Sequence, residues 1–197
     1  METLSKDTRI AAEEQITPLK VMTLKDWNAD IERSILAEAE RSFGASYLTA
    51  PQLRSYLVDP DKRMIYIGNE WSFHAISLLT IHEKGDAAIP EELKDAKRVG
   101  QRKITIVHPD QSGLGLCRVV VEKGERWFED LKIPSFSLHW ENASNGGLSM
   151  LLEAHDYEPQ GLVSKPWFED SLKRQFSCVV CGNPPCNCDA TLYVRRG

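Results

Sequence analysis

The cysteines carry the clearest chemical pattern in this sequence, because four of the five lie within eleven positions, in the run CVVCGNPPCNC. A CxxC pair is followed by four residues and a CxC pair, and Gly182, Pro184 and Pro185 supply the bend that returns the second pair toward the first. A CxxC turn aims two thiolates at one ion, so this spacing predicts a single metal site. The predicted ligands are Cys178, Cys181, Cys186 and Cys188.

The donor set indicates which metal such a site would hold. Four thiolates with no histidine nearby suit tetrahedral zinc, and an iron–sulfur cluster is the main alternative. In a reducing cytosol the clustering favours metal ligation over disulfide bonds, and a redox-active pair or a chance cluster is the remaining interpretation. Closed four-thiolate zinc sites are structural, so we expect the zinc to hold a loop in place rather than to perform chemistry.

A second pattern lies in the middle of the chain, where a strand-like segment runs into a glycine-containing loop. Residues 102–107 (RKITIV) are rich in β-branched side chains, and residues 110–115 (DQSGLG) follow them, directly before a predicted helix. Such a turn presents free backbone N–H groups at the positive end of a helix, where they bind phosphate. A GxG by itself is also typical of a plain tight turn, so both interpretations stay open at this point.

These two patterns must be positioned by the surrounding helices and strands. Apolar residues recur every three or four positions over residues 27–43, which predicts an amphipathic helix that ends at Gly44. Further helices are predicted at residues 50–57, 116–130 and 145–155, although Gly124 weakens the second of these by about 1 kcal/mol. Strands are predicted at residues 16–24, 63–67, 71–81, 102–107, 136–140, 157–163 and 191–194, with an exposed loop or short helix at residues 82–97. This alternation predicts an α/β (α+β) fold, a mixed sheet with helices on both faces.

Length and composition limit the function classes. The 197 residues, 42% hydrophobic and 27% charged, are ordinary for a globular protein, which excludes a disordered or collagen-like chain. No stretch approaches the roughly 18 apolar residues of a membrane span. Residues 1–15 form a polar leader without the apolar core of a signal peptide, so we expect a cytoplasmic protein whose domain covers residues 16–197. The net charge of -5 argues against a general nucleic-acid binder.

The order of elements, and above all the segment VHPDQSGLGLCRVVVE at residues 107–122, resembles the GCN5-related N-acetyltransferase (GNAT) superfamily. In that family the fourth strand ends in a V-x-P element, and a (Gln/Arg)-x-x-Gly-x-(Gly/Ala) loop wraps the pyrophosphate of acyl-CoA. Here Ser112 stands at the Gln/Arg position and Cys117 at the last small-residue position, which favours a packing role for Cys117 over a nucleophilic one. The resemblance implies a twisted, mostly antiparallel sheet, with the cysteine knuckle (residues 176–189) inserted between the last two strands.

The same resemblance implies a donor and its contacts. The donor is acyl-CoA, with acetyl-CoA as the first choice. A second stretch, NGGLSMLLEAHDY at residues 145–157, echoes a family motif that begins with asparagine. The implied cofactor-binding residues are Val107, His108, Ser112, Gly113, Leu114, Gly115, Leu116, Cys117 and Asn145.

The chemistry implied by the resemblance is direct transfer: a backbone N–H near Val107 or His108 polarises the thioester carbonyl while a base removes a proton from the attacking amine. Candidate bases project near the ends of the fourth and fifth strands; they are His82, Glu83, His139 and Glu141. Strand alternation places His139 and Glu141 on one face, which favours them as a pair. Leu152 stands where the family commonly has a tyrosine acid, so we expect Tyr157 or water to supply the proton.

In the family, the connection between the last two strands overhangs the acceptor site. We therefore expect the knuckle to shape access of a primary amine acceptor, and to present Lys165, Lys173 and Arg174 at its mouth. The acceptor is expected to be small or macromolecular, in the second case a protein tail or a nucleic acid, and the protein a monomer or homodimer. Two other functions stay open: a nucleobase-modifying enzyme with the same fold, and a non-catalytic module that binds a ligand or partner.

Overall fold

The computed structural model describes residues 19–140 and 146–197, and a seven-stranded sheet forms the centre of this part of the chain. The strands are β1 (Lys20–Val21), β2 (Lys62–Gly68), β3 (Phe73–Glu83), β4 (Arg98–Val107), β5 (Ser135–Trp140), β6 (Glu158–Val163) and β7 (Ala190–Arg195). They lie in the order β1-β2-β3-β4-β5-β7-β6, and every neighbouring pair is antiparallel except β4 and β5. The predicted mixed, mostly antiparallel sheet is therefore confirmed.

Helices cover both faces of this sheet. They are α1 (Ala29–Phe43), α2 (Ala50–Ser55), α3 (Leu116–Asp130), α4 (Gly146–Glu153) and α5 (Phe168–Arg174). Helix α1 begins at Asn28, whose side-chain oxygen accepts the amide hydrogens of Asp30 and Ile31, and it ends at Gly44 as predicted. Among the described helices, none is long and apolar enough to cross a membrane.

The core lies on both sides of the central strands, because their side chains alternate between two apolar layers. On β2, Met64 and Tyr66 pack beneath α1 and α2, while Ile65 and Ile67 pack beneath α3. All four side chains are buried, and burying one large apolar side chain contributes roughly 1.5–3 kcal/mol. A sheet covered on both faces is consequently a rigid platform for whatever its strand ends carry.

The predicted elements agree with the structure at their centres and differ at their ends. The predicted strand at residues 102–107 begins four residues earlier, at Arg98, and residues 16–18 of the first predicted strand lie outside the described residues. Helix α5 was not predicted, because seven residues with two apolar positions, Phe168 and Leu172, are too few to show a helical period. This helix lies in the connection between β6 and β7, next to the cysteine run.

Candidate functional site

The two parallel strands at the centre of the sheet, β4 and β5, separate after a short stretch of pairing. Residues Gly100, Gln101 and Arg102 of β4 pair with Ser135, Phe136 and Ser137 of β5. Beyond this point β4 continues to Val107 and β5 to Trp140 with no further pairing between them in the described residues. The sheet therefore has a slit at its centre, and we call the gap between residues 103–107 and 138–140 the slit.

Backbone amides of β4 point into the slit. The amide of His108 donates to the carbonyl of His74 at 2.8 Å, so these two residues form a hydrogen-bonded pair of the antiparallel ladder. The next pair, Ala75 and Val107, is then a non-hydrogen-bonded pair, whose N–H groups point away from each other. The N–H groups of Val107 and, two residues earlier, Thr105 then face β5. Of the two amides predicted to polarise a carbonyl, that of Val107 is available, whereas the His108 amide is used within the sheet.

The glycine-containing loop follows at the end of β4. Gly113 and Gly115 both have positive φ, at 79° and 76°, a conformation that glycine adopts without steric cost. Gly115 is the N-cap of α3; no side chain caps this helix end, and no acidic residue lies in its first turn. Burial raises the pKa of the Cys117 thiol, in keeping with the predicted packing role. The positive end of the α3 dipole is therefore free to meet an anion.

A cavity of about 780 Å³ passes through the slit from one face of the sheet to the other. On the side of α3 and α4 it is lined by Ser112, Cys117, Leu148 and Leu151, and in the slit by Val107 and His139. On the side of α1 it reaches a set of aromatic residues that we call the aromatic wall. The aromatic wall consists of Phe43, Tyr47, Trp140, Trp167 and Phe176. A thread-like ligand could enter at the glycine loop and meet a second ligand at the aromatic wall.

The predicted cofactor-binding residues are only partly brought together. Val107, Ser112 and Cys117 line the cavity. Leu116, in contrast, is buried in the apolar layer between α3 and the sheet, and Leu114 is exposed. The His108 ring accepts the Asp110 amide hydrogen and does not line the cavity. Asn145 lies outside the described residues.

The predicted proton-transfer residues are also spread over different places. His139 lines the cavity, 8% exposed, with its ring edge-on to Tyr193. His82 lies elsewhere, with one ring nitrogen 2.8 Å from Asp86 and the other 3.0 Å from Gln101. Glu83 forms an ion pair with Arg98 at the far end of β3, and Glu141 is not among the described residues.

Tyr157 belongs to the buried interior rather than to the cavity. Its hydroxyl lies 2.7 Å from Ser135 Oγ and donates to the carboxylate of Glu125, and burial raises its pKa well above the ordinary value. Glu125 in turn pairs with Arg102 and Arg195. This buried ion network lies directly below the point where β4 and β5 separate. The sequence does carry a signal of this network: Glu125 lies four residues after Val121, and therefore on the apolar face of α3, where an unpaired carboxylate would not be stable.

The four clustered cysteines meet at one point, as their spacing predicts. Their sulfur atoms all lie within 4.8 Å of one another, with Cys188 Sγ 3.6 Å from Cys178 Sγ and 3.3 Å from Cys181 Sγ. A disulfide needs about 2.05 Å. Thiolates about 2.3 Å from a tetrahedral zinc lie about 3.8 Å apart, close to the observed spacing. Burial raises the pKa of the Cys178 thiol, but amide donors from Cys181 and Val180 outweigh it and lower that pKa overall.

The cysteine knuckle is bound tightly to the loop between α1 and α2. The amide of Ser177 donates to the Ala45 carbonyl at 3.0 Å, and that of Val179 to the Phe43 carbonyl at 3.2 Å. Gly44 has a φ of 117°, and a side chain there would collide with the Ser177 carbonyl. Because Phe43 also belongs to the aromatic wall, the knuckle and the wall form one packed unit.

The whole architecture can be compared with solved structures. No protein-family model and no curated protein matches the sequence. Arabidopsis thaliana NAA60, solved with a bisubstrate analogue, superimposes with a TM-score of 0.66 at 9% identity, over 90% of this chain and 98% of that one. The ribosomal-protein-S18-alanine N-acetyltransferase from Escherichia coli superimposes with a TM-score of 0.58 at 12% identity, over 90% and 92% of the two chains.

A third solved structure of the same fold is an enzyme named for a different class of amine, the arylalkylamines. Arylalkylamine N-acetyltransferase 2 from Aedes aegypti superimposes with a TM-score of 0.54 at 14% identity, over 92% of this chain and 100% of that one. The strand order, the slit between β4 and β5 and the glycine loop before α3 agree with the resemblance found in residues 107–122. This chain therefore has the fold of the GCN5-related N-acetyltransferases.

Proposed function

We propose that this protein is an acyl-CoA-dependent N-acyltransferase that moves an acyl group, acetyl first among them, to a primary amine. The observation that carries the proposal is the slit, which opens into a cavity of about 780 Å³ reaching from the glycine loop to the aromatic wall. A donor on one face and an acceptor on the other can meet only through such a passage.

Donor binding follows from the groups on the α3 side. The diphosphate of CoA would bind the free amides at the uncapped start of α3, helped by the helix dipole and the Ser112 hydroxyl. The pantetheine arm carries amides that would pair with the N–H groups of Thr105 and Val107, as an added strand does at a sheet edge. The same arrangement places the thioester inside the slit.

The chemistry proposed is direct attack of the neutral amine on the thioester carbonyl. The amide of Val107 would stabilise the negative charge that develops on the carbonyl oxygen. Of the predicted proton-transfer residues that the structure describes, His139 lines this cavity, on the donor side of the slit. Tyr157 is not retained, since its hydroxyl is held in the buried ion network.

Zinc at the four cysteines is the second part of the proposal. Donor type, spacing and amide hydrogen bonds to sulfur all suit a closed structural site, with Cys178, Cys181, Cys186 and Cys188 as ligands. When bound, the metal would cross-link the two ends of the knuckle and take no part in catalysis. The knuckle would then hold the aromatic wall against the loop between α1 and α2.

The acceptor is proposed to be an amine with an apolar or aromatic group beside it, because the aromatic wall faces the acceptor end of the cavity. Solved structures of this fold include NatC bound to a Gag peptide and CoA. A peptide N-terminus and an arylalkylamine are therefore the first two acceptors to try.

The test is acetyl-CoA binding by calorimetry, with native mass spectrometry for copurified CoA and metal. Val107→Pro removes the amide that faces the slit without removing a hydrogen bond to β3, and Val107→Ala keeps it. One hydrogen bond contributes about 0.5–1.5 kcal/mol, so we expect Val107→Pro to bind acetyl-CoA about 2–10-fold more weakly and Val107→Ala to bind normally. Absence of acetyl-CoA binding by the wild-type protein would refute the transferase.

A further inference from the structure

Lys103 occupies an unusual position in β4, the residue directly after the last pairing with β5. In the pairing with β3, Leu78 lies opposite Ile104 while Leu79 lies opposite Arg102, so Lys103 has no partner and forms a β-bulge. A bulge redirects a side chain that regular alternation would have aimed elsewhere. Here it places a lysine where the slit begins.

A second cavity, of about 680 Å³, meets the first one at this residue. It extends over the α1 and α2 face of the sheet toward His82, and its lining is mostly polar. The residues that line both cavities are Tyr47, Arg102, Lys103, Ile104, Leu138 and Trp167. An acceptor lying in the second cavity would therefore pass Lys103 before its amine reached the slit.

The charged groups that face Lys103 leave its ammonium without a counterion. From α5 it faces Asp170 and Arg174, but these pair with each other at 2.6 and 2.8 Å. From the loop after β3 it faces Asp86, which pairs with His82. Lys62 on β2 adds positive charge nearby.

The Lys103 side chain is exposed to the open cavity, yet the protein groups crowded around it displace part of its water and so lower its pKa below the ordinary value. The carboxylates of Asp170 and Asp86 oppose that shift only in part. Loss of water when an acceptor fills the cavity acts in the same direction, because desolvation disfavours the charged amine. No hydrogen bond or ion pair joins Lys103 to another described residue, so once the amine has lost its proton its lone pair is free to accept another.

We propose that Lys103 is the proton acceptor for the acceptor amine. The step rests on the proposed transferase function. As the amine nitrogen bonds to the thioester carbon, the Lys103 Nζ takes one of its protons and the carbon–sulfur bond breaks. The departing CoA thiolate then receives that proton, which restores the neutral lysine and consumes no outside acid. This assignment also explains how a chain with Leu152, fully buried, in place of the family's tyrosine can balance its protons.

His139 and Lys103 lie on different sides of this reaction. Ser135 and His139 share the face of β5 that turns toward Tyr157 and α4, where the donor enters, as strand alternation requires. Lys103 borders the polar cavity on the α1 and α2 face, where the acceptor enters. The two residues are therefore distinguishable by substitution.

The first experiment measures thiol release from acetyl-CoA with tyramine and with a hexapeptide that has a free N-terminal alanine. Lys103→Met and Lys103→Arg should each lower kcat about 100-fold or more with unchanged acetyl-CoA affinity, because neither side chain accepts a proton. Lys97→Met, at an exposed lysine that lines neither cavity, is the matched control and should retain the wild-type rate. A Lys103→Arg enzyme with the wild-type rate would overturn the proposal.

The second experiment does not need a known acceptor. NMR titration of the lysine ε-CH₂ signals, assigned with Lys103→Arg, should give Lys103 a midpoint below 10.5. Charging Lys103 costs stability at every pH below its folded pKa, and the cost is lost as pH rises through 10.5. Lys103→Met should therefore raise the unfolding free energy at pH 7 and not above pH 11. A Lys103 midpoint at or above 10.5 overturns the proposal, whereas a wild-type protein that binds no acetyl-CoA overturns the transferase instead.

Discussion

Replacing Glu125 by glutamine tests the buried ion network below the slit. Glu125 is 1% exposed, pairs with Arg102, lies 3.4 Å from Arg195 Nη2, and accepts the Tyr157 hydroxyl hydrogen at 3.1 and 3.2 Å. Glutamine keeps the shape and an acceptor for Tyr157 but removes the negative charge. Both arginines are then left in the interior without a buried counterion.

The size of the stability loss follows from the lack of other hydrogen-bond partners for the two arginines. The Nε atoms of Arg102 and Arg195 already have no hydrogen-bond partner among the described residues, so the network has little capacity to rearrange. Breaking a buried pair by removing one partner costs about 3–5 kcal/mol. For a chain of this size 1 kcal/mol shifts Tm by about 2–4 °C, so we expect Glu125→Gln to lower Tm by about 6–20 °C.

The measurement is urea unfolding at pH 7 followed by circular dichroism, with Tm from calorimetry. Glu129→Gln, one turn further along α3, is the matched control, because Glu129 is 56% exposed and its pair with Arg195 should contribute no more than about 1 kcal/mol. The double change Arg102→Met with Glu125→Met should recover part of the loss, since an apolar pair replaces two buried charges while Arg195 stays without its buried counterion. If Glu125→Gln costs no more than Glu129→Gln, the buried network does not stabilise the fold.

Three further substitutions test other parts of the structure. Gly124→Ala would place a methyl group 2.9 Å from Arg102 Nη2 and 3.0 Å from Leu79 Cδ1, so we expect unfolding to show a loss of about 1–3 kcal/mol despite the better helix propensity. The loss should be smaller when Arg102 is already methionine. Cys181→Ser should abolish metal in elemental analysis and raise the acceptor KM while leaving acetyl-CoA affinity unchanged; normal acceptor kinetics would exclude a role for the knuckle. Arg54→Met removes the hydrogen bond that lowers the pKa of Glu32, so it should reduce stability at pH 7, and the deficit should close as pH falls below 4.5 through the folded pKa of Glu32.

Helix α1 and the cysteine cluster were predicted correctly because each depends on residues that are close in the chain. Apolar spacing over residues 27–43 defines one helical face whatever packs against it, and Gly44 stops the helix locally. The spacing of Cys178 and Cys181 and the bend after them bring four sulfur atoms to within 4.8 Å without help from distant segments. The glycines before α3 act in the same local way.

The first residues of β4 show why other features were missed. Gly100 and Gln101 have the composition of a loop, yet both are buried in the sheet. Gly100 is required because the Phe128 ring from α3 occupies the space of its side chain, and Gln101 accepts a hydrogen bond from His82 on β3. Neither partner is near in sequence, so no local pattern could reveal the strand's true start.

The features of the candidate site likewise fall into those that depend on nearby residues and those that depend on distant ones. Backbone features, the turn of the glycine loop and the metal ligands, follow from short-range geometry and can be inferred from residue order. The role of a side chain such as Lys103 or Tyr157 depends on which distant charges surround it and how much water remains. Those conditions arise only when β4, β5, α3 and the knuckle pack together, because desolvation and Coulomb energies depend on distances in space and not along the chain.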